Sequence, residues 1–329
     1  MSLRTLLIAP LTALALGLAE PALAANAGFT VVQTPDPQGP PITVGIWYPT
    51  DASTKPMPLG INDQLVAPGA PLVGEHLPLI VMSHGNGGFF GGHADTAQAL
   101  AEAGFVVAAL THTGDNYADQ SKATDMANRP RQLSVLIDYM LTASPMKAAI
   151  DPQRVGAFGF SSGGFTVLAA AGGKPDLTRV LAHCRAHPDF FDCKLTASRP
   201  LPAGALLPHW THDARIKAVV SAAPALGYTF KDLSKVTMPV QLWRAANDQI
   251  LPDPEYASAV KAALPKPPEY HVVPGAGHFD FLNACNAQGK ATAGVICDSA
   301  AGFDRAAFHH AFNTAVTAFF TANLPPAHP

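Results

Sequence analysis

Apolar residues in this chain fall in short continuous runs that alternate with stretches of helical period. Residues 77–82 (Leu-Pro-Leu-Ile-Val-Met) and 105–110 (Phe-Val-Val-Ala-Ala-Leu) are unbroken runs of strand length, as strands covered on both faces require. Between them, residues 94–103 have helical composition and stop at Gly104, a residue suited to a C-cap. Residues 131–141 carry Leu133, Leu136, Ile137, Met140 and Leu141 at helical spacing. A strand then runs from Val155 to Phe160, followed by a helix of small residues over 165–171. The same reading predicts strands at 29–33, 42–48, 216–221, 240–243 and 270–273, and helices at 254–263 and 304–322. Strand–helix alternation of this kind predicts an α/β fold built on a parallel sheet with helices on both faces.

Three stretches break the rhythm. Residues 50–75 are rich in proline, glycine and small residues and predict an irregular surface excursion. Residues 117–128 and 283–302 predict loops. Residues 173–213 carry two cysteines, several prolines and the run His209-Trp210-Thr211-His212-Asp213. A stretch this long without clear strands predicts a cap over a site, here with Trp210, Phe190 and Phe191 as apolar lining.

The candidate chemistry sits where predicted strands end. Gly159-Phe160-Ser161-Ser162-Gly163 fits G-x-S-x-G, with a serine between two residues that let a strand and a helix approach closely. A serine hydroxyl is a weak nucleophile and needs a base oriented by a carboxylate. The chain has 13 histidines, so one is singled out only by its setting. His278 lies just after the last predicted strand, in Gly275-Ala276-Gly277-His278. Asp248 follows the strand at 240–243. Asp253 is its rival, although next to Pro254 it could simply cap a helix. Asp213, Asp232 and Asp280 are less favoured. The glycine-rich Ser83-His84-Gly85-Asn86-Gly87-Gly88 follows the strand at 77–82 and suggests backbone N–H groups turned towards a ligand. His112, with Asp115 and Tyr117, also follows a strand and could touch substrate. The expected catalytic set is therefore Ser161, Asp248 and His278, with His112 and Trp210 as possible substrate-binding residues.

Composition narrows the partners and the compartment. The chain has 329 residues, 48% hydrophobic and 14% charged, with net charge −3, so it can fill a large core and offers no basic stripe for nucleic acid. Arg4, an apolar run over 6–18 and Ala22-Leu23-Ala24 read as a signal peptide cleaved near residue 24. That predicts a periplasmic or secreted protein with no stable membrane insertion after cleavage. Its expected form is one domain over 25–329, interrupted by the cap at about 173–213. The sequence leaves the oligomeric state open. Four cysteines fit an oxidising compartment and allow three pairings. The local pairs Cys184–Cys193 and Cys285–Cys297 are expected, because each would staple a loop. The rival reading, zinc held by His183, Cys184, His187 and Cys193, matches no familiar ligand spacing. No metal or cofactor is expected.

These motifs resemble the α/β-hydrolase superfamily: SHGNGG, GFSSGG, the stretch Asp248 to Pro252, GAGH, and Asp213-Ala214-Arg215-Ile216-Lys217-Ala218-Val219 leading into a strand. The likeness runs from about Phe29 to the final helix. Within the superfamily it is similar to dienelactone-hydrolase-like and plasma-type platelet-activating-factor acetylhydrolase-like proteins. It departs from true dienelactone hydrolases, which have cysteine where this chain has Ser161. It departs from the acetylhydrolases in lacking a carboxylate over 222–230. The resemblance implies a mostly parallel, doubly wound sheet, the chain order Ser, Asp, His, and an oxyanion hole from the N–H groups of Ser162 and Asn86. It implies a serine hydrolase acting on small carboxylic esters, with peptidase or amidase chemistry and an inactive binding protein as the alternatives.

Overall fold

A computed structural model describes residues 26–206 and 208–326. The expected leader, residues 1–24, lies outside these. Among the described residues, twelve strands follow in order: β1 (Asn26–Thr34), β2 (Ile42–Thr50), β3 (Lys55–Leu59), β4 (Asn62–Pro68), β5 (Leu77–Ser83), β6 (Val106–Leu110), β7 (Ile150–Phe160), β8 (Lys174–Pro175), β9 (Ile216–Ala222), β10 (Phe230–Asp232), β11 (Val240–Ala245) and β12 (Glu269–Val273). The helices are α1 (Ala94–Glu102), α2 (Asn128–Thr142), α3 (Ser162–Ala170), α4 (Thr178–Ala186), α5 (Phe191–Ser198), α6 (Ala257–Ala263), α7 (Ala287–Thr292), α8 (Gly294–Cys297) and α9 (Arg305–Asn323).

Ten strands form one sheet in the order β12-β11-β9-β7-β5-β6-β2-β1-β4-β3. From β12 to β6 every neighbouring pair is parallel. Antiparallel pairing of β6 with β2 and of β2 with β1 extends that half. The chain steps from β5 outward to β6, then returns past β5 to β7 on its other side. The crevice beyond the carboxyl ends of β5 and β7 is therefore the topological switch point, where open α/β sheets bind ligands.

Alternation along the central strands divides the core between two layers. Leu79, Val81, Val155 and Ala157 face the layer that holds Leu133, Ile137 and Phe165 of α2 and α3. Ile80, Met82, Phe158 and Phe160 face the layer that holds Leu100 of α1 and Phe312 and Phe320 of α9. The continuous apolar runs thus bury both faces, as expected of parallel strands.

The irregular stretches are more ordered than their composition predicts. Residues 50–75 form the β3–β4 hairpin, not an excursion. Pro56 and Pro58 are tolerated because β3 is the last strand of the sheet, where a missing N–H costs no ladder bond on the open side. The alternation of β4 was hidden because inward positions are polar: Asn62 and Gln64 are buried, and Trp47 Nε1 donates to Gln64 Oε1 at 2.8 Å. Residues 283–302 contain α7 and α8, tied by a Cys285–Cys297 disulfide. Residues 173–213 hold α4 and α5, joined by a Cys184–Cys193 disulfide, and β8, which pairs with β10. Among the described residues no helix is long and apolar enough to cross a membrane.

Candidate active site

Ser161 ends β7 and precedes α3 with φ 56° and ψ −120°, a strained conformation for a residue with a side chain. The surroundings hold it there. Its N–H donates to Ala222 O at 2.9 Å, and its carbonyl accepts from Phe165 N–H at 3.1 Å and Ala225 N–H at 3.0 Å. The flanking glycines are steric necessities. A Cβ on Gly163 would lie 1.8 Å from Ser83 O, and one on Gly159 would lie 2.1 Å from Gly163 O. Both obstacles are backbone, so neither can swing away. Gly163→Ala is therefore expected to destabilise the fold by ~3 kcal/mol or more, the upper range for overpacking. A urea midpoint equal to wild type would refute that.

Two loops from distant parts of the chain bring partners to this serine. His278 Nε2 is 3.0 Å from Ser161 Oγ. His278 Nδ1 is 2.8 Å from Asp248 Oδ2. The other oxygen of Asp248 accepts from the N–H groups of Ile250 at 3.0 Å and Leu251 at 2.7 Å, which fixes the carboxylate at the imidazole. The imidazole is 2% exposed and packs 4.8 Å, centroid to centroid, from the Phe160 ring. Its loop is pinned beneath: Asp280 accepts from Gly277 N–H at 2.8 Å and pairs with Arg305 at 3.2 Å. The rival carboxylates are engaged elsewhere, Asp253 with Arg244 at 3.7 Å, Asp213 with Arg215 at 2.6 Å and Asp232 with Lys174 at 4.0 Å.

Asn86 lies in the loop after β5. Its side chain is occupied, with Nδ2 donating to Asp115 Oδ1 at 2.7 Å. Ser162 is the first residue of α3, where the helix supplies no partner for its own N–H. A cavity of about 520 Å³, counting its open mouth, reaches Ser161 and Ser162. Its walls include Leu177, Val180, Phe191 and Leu195 from the 173–213 segment, with Leu226 and Leu251 from the sheet side.

His112 and Trp210 are not among the residues that line this cavity. His112 is fully buried, held by Ser83 Oγ at 2.8 Å on Nε2 and by Gln132 Oε1 at 2.7 Å on Nδ1. The Trp210 ring lies 5.7 Å from Phe165, and its Nε1 donates to Pro175 O at 3.1 Å. Of the aromatics expected in the cap lining, Phe191 is at the cavity, whereas Phe190 stacks on His187 at 4.6 Å.

Sequence reading missed two buried polar groups. Asp192 forms part of the cavity wall and accepts from Tyr228 Oη at 2.6 Å and Tyr256 Oη at 2.9 Å. Burial and this carboxylate push both phenols well above their ordinary range, so they remain donors. Beneath the Asn86 loop, Arg129 pairs with Asp115. There burial and the Arg129 charge hold His84 at a pKa of about 3 and push His112 well below its ordinary value. No local pattern marks either group, since the partners are distant in sequence.

Residues 93–290, well over half of the chain, match the prolyl oligopeptidase family (peptidase S9). A shorter stretch of 117 residues is 31% identical to a protein of Nocardia uniformis subsp. tsuyamanensis named "Putative esterase NocK"; it spans about a third (33%) of each chain. The fold is similar to that of a ferulic acid esterase from Streptomyces cinnamoneus, with TM-score 0.63 and 18% identity over 95% of this chain and 94% of that one. The expected superfamily and its mostly parallel sheet hold. The chain belongs to the prolyl oligopeptidase family of α/β-hydrolase serine hydrolases.

Proposed function

We propose that this protein is an exported serine hydrolase that cleaves small carboxylic esters through an acyl-enzyme. One observation carries the reading: a continuous hydrogen-bond chain from Ser161 Oγ through His278 to Asp248, with links of 3.0 and 2.8 Å, at the rim of the sheet. That is the spacing a nucleophile, base and orienting acid require. Ser161 Oγ attacks the ester carbonyl while His278 Nε2 takes its proton. Asp248 keeps the other ring nitrogen protonated and stabilises the imidazolium. The oxyanion rests on the N–H groups of Asn86 and Ser162. The alkoxide leaves with the proton from His278, and water, activated by the same imidazole, releases the acid and restores the serine. The apolar walls from Leu177, Val180 and Leu195 suit an uncharged, apolar acyl or alcohol group. The names of the two esterases above support ester chemistry.

Cleavage of peptides is the second reading, favoured by the family's name. The two disulfides support export, as does the leader expected at 1–24. Labelling the purified protein with a fluorophosphonate, followed by peptide mapping, is expected to modify Ser161. Parallel assays on p-nitrophenyl esters and peptide anilides are expected to favour the esters. Preference for anilides would reassign the substrate, and a protein that neither labels nor turns over would be an inactive binding protein of this fold.

A further inference from the structure

The hydrolytic chemistry leaves unused a guanidinium buried directly beneath the proposed oxyanion hole. Arg129, in the first turn of α2, is 2% exposed. A buried cation persists only where its charge and its donors are matched. Every branch of this fork is engaged. One terminal nitrogen pairs with Asp115, and the other donates to the carbonyl of His84 and, at 3.4 Å, to Ser83 Oγ. Nε donates to Thr166 Oγ1 at 3.0 Å.

What these partners hold is informative. Asp115 accepts from Asn86 Nδ2 at 2.7 Å and from Gly87 N–H at 2.9 Å, so its carboxylate grips the residue that offers one oxyanion donor and the residue after it. Thr166 Oγ1 donates to Ser162 O at 2.6 Å, in the turn that offers the other donor. His84, whose carbonyl Arg129 holds, receives the His112 N–H on Nε2 at 2.9 Å, and His112 in turn holds Ser83. Burial keeps both imidazoles neutral, so the arginine and Asp115 are the charged pair at this spot. A single planar fork therefore ties the Asn86 loop to the first turn of α3.

We propose that Arg129 is a positioning residue that, with Asp115, sets the separation between the Asn86 and Ser162 N–H groups. This rests on the hydrolase reading above. Oxyanion donors act only when they meet the developing charge at about 2.7–3.1 Å, and a displacement of about 1 Å is enough to lose most of the effect. Lysine cannot substitute fully, because a point charge cannot address the Asp115 carboxylate, the His84 carbonyl and Thr166 at once.

The test compares full-length wild type, Arg129→Met, Arg129→Lys and Ser161→Ala on a short-chain p-nitrophenyl ester. Rates are expressed per active site, counted by fluorophosphonate labelling carried to completion. Arg129→Met is expected to lower kcat per titrated site by about 100-fold with KM changed less than threefold, the signature of a contact made in the transition state. Affinity for a trifluoromethyl ketone analogue should fall by a similar factor. Arg129→Lys, which keeps the charge pair, is expected to recover part of the loss. A merely structural arginine would lower the thermal midpoint and the number of titratable sites while each remaining site turned over at the wild-type rate, and that result overturns the proposal. If Arg129→Met does not fold, Arg129→Lys decides: a rate about tenfold down supports the clamp, and a wild-type rate overturns it. If wild-type turnover does not depend on Ser161, the hydrolase reading fails, and with it the purpose of the clamp.

Discussion

Ser161→Ala is expected to reduce kcat for a p-nitrophenyl ester by about 10⁴–10⁶, with little change in the denaturation midpoint. The hydroxyl makes one side-chain contact that matters, the 3.0 Å bond to His278, and the backbone bonds that hold the turn do not involve it. Alanine keeps the Cβ that already fits this turn, so the loss is chemical. His278→Ala should cost a similar factor, and the double variant hardly more, because nucleophile and base act as one unit. Asp248→Asn should cost about 10⁴, since an amide can present its N–H to Nδ1 and favour the wrong tautomer. Steady-state kinetics on the single and double variants check this. Independent, multiplying effects would show that the three groups do not act together.

Acid is expected to destabilise this protein steeply below about pH 6.5. Burial, aided for His84 and His112 by the Arg129 charge, holds His84 at a pKa of about 3, His93 at about 4 and His112 well below its ordinary value. In the unfolded chain the same side chains protonate near pH 6.5. Above that pH both states leave them neutral and the fold keeps its full margin. Below it the unfolded chain binds protons that the folded chain refuses, so stability falls with pH. Each excluded proton contributes about 1.4 kcal/mol per pH unit, so His84 and His93 together give a slope of roughly 3 kcal/mol per unit down to about pH 4, and His112 adds to it in the same direction. Against a typical margin of about 5–15 kcal/mol this is decisive. His309 behaves oppositely. Asp95, 2.6 Å away, raises its pKa despite burial, so its contribution is complete below pH 6.5 and is lost as pH rises through the folded value. It therefore does not blunt the acid slope. Urea titrations at pH 7.5, 6 and 5 measure the effect, and His93→Gln should remove about 1.4 kcal/mol per pH unit of the slope. A flat profile between pH 7 and 5 would mean that these imidazoles are not excluded from protonation.

The covered apolar runs of β5, β6 and β7 were readable because a strand buried on both faces needs no partner to announce itself. The elbow at Ser161 was readable for a similar reason, since its steric demand falls on Gly159 and Gly163, two residues away. The loops bearing Asp248 and His278 were placed by the strands before them. The hairpin of β3 and β4 was not readable, because its inward side is polar and makes sense only beside Trp47. The setting of His112 was not readable either, because its partners are supplied only by the fold. It follows a strand, yet Gln132 and Ser83 draw it beneath the loop.

The sequence alone thus determined the strand–helix order of the parallel core, the serine turn and the residues that could act as acid and base, since each is marked by the few positions around it. Tertiary structure alone decided which residues meet. Arg129 joins Asp115, His84 and Thr166, and Asp192 joins Tyr228 and Tyr256, through contacts between residues 14 to 64 positions apart. A buried polar group is defined by the partners that satisfy it, and those partners are brought together only when the sheet forms.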